Sequence, residues 1–259
     1  MQDVEGHGAE PRDARELAMW RDALGRVLAG RDLEIVTQPI VDLRHGSVVG
    51  YEALTRFPGA PSADPAVWFA VAEEFGVSPE LMAATLRRQL GLAEHLPRAC
   101  FLAVKVSCLA LEADVVQPVL ERAPLDAVVV ELDDPGRFGD GNDPGDLADL
   151  ADLVERLRGR GARIAVTSEG KAGIAAILEL GPDIVRVGRS MIEGIDRDEQ
   201  QQELAAEVRG LLDARGARCL AHGIESAGEL DALVGAGVPL GQGYFIGAPG
   251  PGWTRPAAR

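Results

Sequence analysis

Cysteine is scarce in this 259-residue chain: Cys100, Cys108 and Cys219 sit in apolar runs, are odd in number and lack metal-ligand spacing. Such usage offers no zinc site and fits a reducing cytosol. Long hydrophobic runs are missing too. No stretch reaches the roughly 18 apolar residues of a membrane span, and the N-terminus MQDVEGHGAEPRDAR has no apolar signal core. A cytoplasmic chain with no membrane partner is expected. Positive charge is short, with 26 Lys and Arg against 41 Asp and Glu, a net charge of −15 and a pI near 4.7. That field repels polyanions, which argues against nucleic acid as a partner. A small anionic ligand stays compatible, because screening over about 8–10 Å leaves the cations of a pocket to decide its binding. No internal repeat points to a solenoid.

What is present is a core-forming chain, 46% hydrophobic, of a length that suits one α/β barrel. Residues 1–13 are polar with Gly and Pro and are expected to be a disordered lead; residues 250–259 are expected to be a disordered tail. Between them, 14–249 read as one domain. A helical pattern over 14–30 stops at Gly30 and is followed by a strand over 33–43. The short connection to a second strand over 48–54 predicts an antiparallel pair, since parallel neighbours need a long crossover. Thereafter helices over 66–94, 110–122, 146–160, 171–180, 198–214 and 226–235 alternate with strands over 101–107, 127–132, 163–168, 183–188, 218–224 and 241–246. Buried apolar strands separated by helices mean a parallel sheet, and about eight of them close it into a TIM-like (β/α)8 barrel.

Barrels of this kind carry their chemistry at the C-terminal ends of the strands. Those ends present Glu52 and Arg56, Lys105 and Ser107, Glu131 with Asp133 and Asp134, Thr167 and Ser168, Arg186, His222 and Glu225, and Gln242. Carboxylates facing one another there demand a cation. The loop DDPGRFGDGNDPGD (133–146) departs from the EF-hand pattern and reads as solvated surface, and SEGKAG (168–173) lacks the glycine spacing of a phosphate loop. Trp68, Phe69 and Phe75 fall on an apolar helix face and read as core. His222 reads as a hydrogen-bonded strand-end residue, with a ligand or an acid as the alternative. Of Tyr244 and Phe245, one is placed to stack on a base and the other to pack inward.

The segment TQPIVDLRHGSVVGYEALTRF (37–57) resembles the opening signature of EAL domains, with Glu52, Ala53 and Leu54 as the motif that names the family. The likeness continues in order through LAVKVS, VVVELDD, RIAVTSEG, PDIVRVGRSMI, AHGIES and GQGYFIGAP, over residues 15–250. It implies an EAL-type barrel related to cyclic di-GMP phosphodiesterases, which use two Mg²⁺ or Mn²⁺ ions to open one phosphodiester. By the same likeness, Glu52 and Glu131 stand at metal-binding positions, Gln38, Leu54 and Arg56 at ligand-binding positions, and Glu225, Gln242 and Tyr244 near the pocket. The departures are Lys105 where the family has a metal-binding Asn, Thr167 and Ser168 for an Asp pair, Arg186 for a Lys, and His222 for a Glu. Arginine cannot serve as a general base.

These departures imply a catalytically inactive domain without metal cofactor. Lys105 is expected to pair Glu52 and Glu131, leaving Arg56 and Arg186 to meet the phosphates of cyclic di-GMP or another small anionic nucleotide. Two further readings are a protein-interaction module for a regulatory partner, with a homodimer in keeping with the family, and a phosphodiesterase whose acids Asp133, Asp134 and Glu169 regroup around a metal.

Overall fold

The computed structural model describes residues 13–59, 61–133, 144–168 and 174–256. Eight strands close into one barrel in sequence order: β1 (Glu34–Asp42), β2 (Ser47–Arg56), β3 (Phe101–Val106), β4 (Val128–Leu132), β5 (Arg163–Ser168), β6 (Ile184–Val187), β7 (Arg218–His222) and β8 (Leu240–Gln242). β1 runs antiparallel to both neighbours, β2 and β8, and every other pair is parallel. The reversal lies in the β1–β2 hairpin, where the Asp42 carboxylate accepts from the backbone N–H groups of Arg44 and His45 and Gly46 takes a positive φ of 66°.

The helices are α1 (Ala14–Leu28), α2 (Pro65–Glu74), α3 (Ser78–Leu90), α4 (Cys108–Leu111), α5 (Gln117–Arg122), α6 (Pro144–Gly159), α7 (Ile174–Glu179), α8 (Glu199–Asp213) and α9 (Ala227–Gly235). Two expected helices are each split. The stretch 66–94 breaks where Gly76 adopts a φ of 67° and Pro79 opens the next helix, and 110–122 breaks between Leu111 and Gln117. The last strand ends at Gln242, not at 246, because the chain turns there through Gly243. A Cβ at Gly243 would lie 2.1 Å from the Ile224 carbonyl oxygen, so only glycine permits this approach of the β8 loop to the β7 loop.

Alternation along each strand sorts side chains between two cores. Outward-facing residues such as Leu102, Val130, Ile164 and Val185 join the large cluster beneath the helices. Inside the barrel, Ile40, Phe101, Ala103, Val129, Ala165, Ile184, Leu220 and Leu240 fill a buried apolar layer. Gly50 admits Phe101 into that layer, since a Cβ there would fall 2.6 Å from the ring. A satellite core under α1 to α3 stacks Phe57 on Trp68 at 4.4 Å, with Trp20 edge-on to Trp68 at 5.1 Å. Trp68 is fully buried, as expected, whereas Phe69 and Phe75 only pack against that core.

The tail departs from the expected disorder over its described part. Gly250 exchanges backbone hydrogen bonds with Thr37, Thr254 Oγ1 donates to the Thr37 carbonyl, and Trp253 packs on Tyr51 at 5.0 Å. The part of β1 that β8, pairing only Val41 and Asp42, leaves open and an aromatic partner outweigh the Gly and Pro content. Residues 1–12 of the expected lead, and 257–259, lie outside the described residues.

Candidate functional site

Two positions beyond the apolar layer, each strand places one polar residue toward the barrel axis: Gln38, Glu52, Lys105, Glu131, Thr167, Arg186, His222 and Gln242. The centre of this layer is Arg186. Its Nη1 donates to both oxygens of Glu131 at 2.8 and 2.7 Å and to Glu52 Oε1 at 3.1 Å, while Nη2 donates to Glu52 Oε2 at 3.2 Å. Thr167 Oγ1 adds a donor to Glu131 Oε1 at 2.9 Å, and Gln242 Nε2 one to Glu52 Oε2 at 2.7 Å. Gln242 also donates to Gln38 Oε1 at 3.1 Å, and Gln38 passes the network to the Gly247 carbonyl at 2.9 Å. All four oxygens of the two carboxylates therefore accept from protein donors.

Burial sets the electrostatics of this cluster. Desolvation alone would raise the Glu52 pKa, but the Arg186 charge and hydrogen bonds outweigh it and hold the carboxyl at about 2. The guanidinium pays the same desolvation and is nevertheless raised, by Glu131 and Glu52. His222, largely buried and facing Arg186, drops to about 4 through desolvation and then repulsion by that cation, so its imidazole is neutral at pH 7.

Lys105 does not make the pairing expected of it. Its Nζ lies 2.6 Å from Asp133 Oδ2, with both side chains partly exposed, while Arg186 takes the two buried carboxylates. The reason is shape: a planar fork reaches two carboxylates at once from β6, whereas a single ammonium satisfies one. Asp133 continues the inward-facing side of β4, two residues beyond Glu131, and there meets Lys105 of the neighbouring strand. Arg186 is thus not free to meet a phosphate.

A cleft of about 560 Å³ opens from this mouth over the end of β2 toward α2 and α3, lined among others by Glu52, Leu54, Arg56, Phe69, Lys105 and Asp133. Arg56 is half-buried there; its Nη1 donates to the Thr55 carbonyl at 2.8 Å, and it has no carboxylate partner among the described residues. Glu225 is turned to Arg189, whose Nη2 lies 3.3 Å from Glu225 Oε2 and whose Nη1 lies 2.8 Å from Glu229 Oε1. Tyr244 is exposed, and so is Phe245, so neither packs inward as one of them was expected to. The structure brings Gln38, Glu52, Glu131, Arg186 and Gln242 into one network, lines the cleft with Leu54, Arg56 and Lys105, and leaves Glu225 and Tyr244 at the rim. Asp134, Glu169 and most of SEGKAG lie outside the described residues.

Two contributors were missed in the sequence. Arg189, two residues beyond β6, clamps the β7 loop through the Gly223 carbonyl at 2.6 Å. Gln89 on α3 holds β2 through the Ala53 carbonyl at 2.9 Å and Thr55 Oγ1 at 3.2 Å. A polar residue among the apolar positions of α3 was the available signal for the second. Among the described residues, no three His, Cys, Asp or Glu side chains converge as a metal-ligand set, and no helix is long and apolar enough to cross a membrane.

A barrel with one antiparallel strand and a carboxylate-bearing mouth is the class of fold seen here, and the EAL domain family model matches residues 19–249: the chain belongs to the EAL domain family. Among curated relatives, the uncharacterised protein y4lL of Sinorhizobium fredii is 27% identical over 247 residues, covering 92% of this chain and 29% of that protein. The cyclic di-GMP phosphodiesterase NbdA of Pseudomonas aeruginosa is 28% identical over 259 residues, covering 93% of this chain and 32% of that protein. The chain thus spans about a third of these relatives' length. Among solved structures, the EAL domain of Xanthomonas citri FimX, in complex with c-diGMP, matches with a TM-score of 0.74 at 18% identity, covering 92% of this chain and 95% of that one. At that identity the likeness carries the fold.

Proposed function

We propose that this EAL domain is a metal-independent receptor for cyclic di-GMP or a related small anionic nucleotide, and does not hydrolyse it. The observation that carries this reading is the engagement of all four Glu52 and Glu131 oxygens by protein donors, with Arg186 as the central cation. A divalent ion bound by those oxygens would share their mouth with a buried guanidinium, and two cations at that range repel. The residues present therefore do not fit a catalytic metal pair. A metal pair lowers the barrier to phosphodiester opening by several kcal/mol, so its loss costs on the order of a thousandfold in rate or more.

For binding, the cleft has the volume of a small-molecule site and offers Arg56, which has no carboxylate partner among the described residues, together with Lys105. That a family member of the same fold was solved with c-diGMP in complex supports the same ligand class. The pairing of Lys105 with Asp133 favours a second reading, a protein-interaction module that binds no nucleotide, because it lowers the positive charge offered to an anion.

Calorimetric titration with cyclic di-GMP in EDTA and again in Mg²⁺, with chromatography for linear product, tests the first reading. Binding in EDTA without product is expected, and Arg56→Ala should weaken it by roughly tenfold or more, the loss of a charge-assisted phosphate contact. Mg²⁺-stimulated product overturns the reading, and absence of binding in both buffers moves it to the interaction module.

A further inference from the structure

We propose that Asp133 is an internal competitor for the anionic ligand: its carboxylate occupies Lys105 in the free protein, and a ligand phosphate must displace it. This rests on the receptor reading for the identity of the ligand, though not for the contact itself. Lys105 on β3 and Asp133 just past the end of β4 lie 2.6 Å apart, Nζ to Oδ2, and both line the cleft that also holds Glu52 and Arg56.

The charges of the mouth give the contact its consequence. Glu52 and Glu131 against Arg186 leave one negative charge, and His222 adds none at neutral pH. Lys105 cancels that charge, Asp133 restores it, Arg56 cancels it again, and Glu73, which also lines the cleft, leaves the described groups with one negative charge. With Asp133 in place, an incoming phosphate meets no net attraction; with Asp133 turned away, Lys105 and Arg56 flank the cleft as two cations. Asp133 thereby sets a threshold. A carboxylate that merely equals it gains little by exchange, whereas a phosphate diester able to bridge Lys105 and Arg56 gains a second contact that Asp133 lacks.

The exchange is cheap for the fold. Lys105 and Asp133 are 44% and 35% exposed, and ion pairs so open to water contribute little to stability. Arg186 keeps the carboxylates of the layer below satisfied whichever partner Lys105 holds. Replacing Asp133 by asparagine is therefore a change of charge in the cleft with the barrel left intact.

Two readouts separate this inference from the receptor reading. The first is calorimetry with cyclic di-GMP in EDTA. Asp133→Asn should bind about tenfold tighter than wild type, and Lys105→Met/Asp133→Asn should lose that gain. Equal or weaker binding by Asp133→Asn, with wild-type binding present, overturns the inference. The second needs no nucleotide. The chain has only two lysines, Lys105 and Lys171, so reductive ¹³C-dimethylation gives two side-chain signals that NMR assigns with Lys105→Met. Titration with inorganic pyrophosphate in EDTA should move the Lys105 signal at about tenfold lower concentration in Asp133→Asn than in wild type. An unchanged midpoint overturns the competitor whatever the nucleotide does. A shifted midpoint without nucleotide binding by either protein upholds the competitor and removes the receptor reading.

Discussion

Arg186 Nη1 donates to both oxygens of Glu131, at 2.8 and 2.7 Å, although β6 and β4 are separated by a whole strand. The same guanidinium reaches Glu52 on β2, so one cation ties three strands across the barrel axis. A buried carboxylate pair without a cation would have to take up a proton, since like charges at that range cannot both ionise. The Arg186 guanidinium is therefore the counter-charge of both carboxylates. In this chain the counter-charge is built in.

Replacing Arg186 by methionine keeps much of its volume and removes the charge. Uncompensated buried charges cost about 3–5 kcal/mol, and the urea midpoint at pH 7.5 should fall accordingly. The defect should shrink toward pH 5, where a carboxyl freed from the guanidinium takes up a proton. Adding Glu52→Gln and Glu131→Gln to Arg186→Met should recover much of the loss, because the whole ionic cluster is then neutral. A triple variant no more stable than Arg186→Met would mean that the lost stability lay in packing.

Gly243 is the narrowest point of the β7 and β8 loops. A Cβ there would meet the Ile224 carbonyl oxygen at 2.1 Å and its amide nitrogen at 2.2 Å, both backbone atoms that no rotamer change can move. Phe245 N–H donates to that same carbonyl at 3.0 Å. Gly243→Ala should therefore lower stability by about 3 kcal/mol or more, read as a drop in thermal midpoint. An alanine variant within a degree of wild type would show that the two loops separate freely.

The barrel was legible because its strands are short apolar runs between amphipathic helices, and the antiparallel start because RHGS is too short for a crossover. The polar layer was legible as well: alternation places Glu52, Glu131, Arg186 and Gln242 on one side of their strands whatever the detail of closure. The partner of each cation was not. Lys105 is beside Glu131 in the register and Arg186 is two strands away, yet the longer fork makes the contact. Side-chain reach across a closed barrel is a tertiary property that spacing along the chain does not carry. The tail misled for a different reason. Its Gly and Pro content suggested disorder, and the counter-signal was one aromatic residue, Trp253, whose partner Tyr51 lies two hundred positions upstream.

Trp253 and Tyr51 pack at 5.0 Å, and the backbone around Gly250 is paired to Thr37 on β1, the strand that carries Gln38. The tail thus braces the back of the strand that feeds the polar layer. Trp253→Ala should cost about 1–3 kcal/mol, less than for a fully buried tryptophan because this ring is only partly covered. Truncation after Pro249 should cost more, since the Thr37 hydrogen bonds go with it. Amide exchange at Thr37 checks the second effect: its protection should fall in the truncated protein and persist in Trp253→Ala.

Stability should begin to fall on the acid side earlier than carboxylates alone would cause. His222 titrates at about 4 in the folded protein against 6.5 ordinarily, because burial and Arg186 disfavour the imidazolium. Between those values the unfolded chain holds a proton that the folded one refuses, so stability drops as pH falls from 6.5 to 4, by about 2–3 kcal/mol. Glu52, held at about 2 against 4.5, acts in a lower window: its contribution is full above 4.5 and is lost as pH falls toward 2. His222→Asn removes the first window and keeps the second. Urea denaturation of both proteins from pH 7.5 to 3.5 should therefore show wild type losing about 2–3 kcal/mol more than His222→Asn as pH falls from 6.5 to 4. Parallel curves across that interval would mean that the His222 imidazole takes up its proton in the folded barrel as readily as in the unfolded chain.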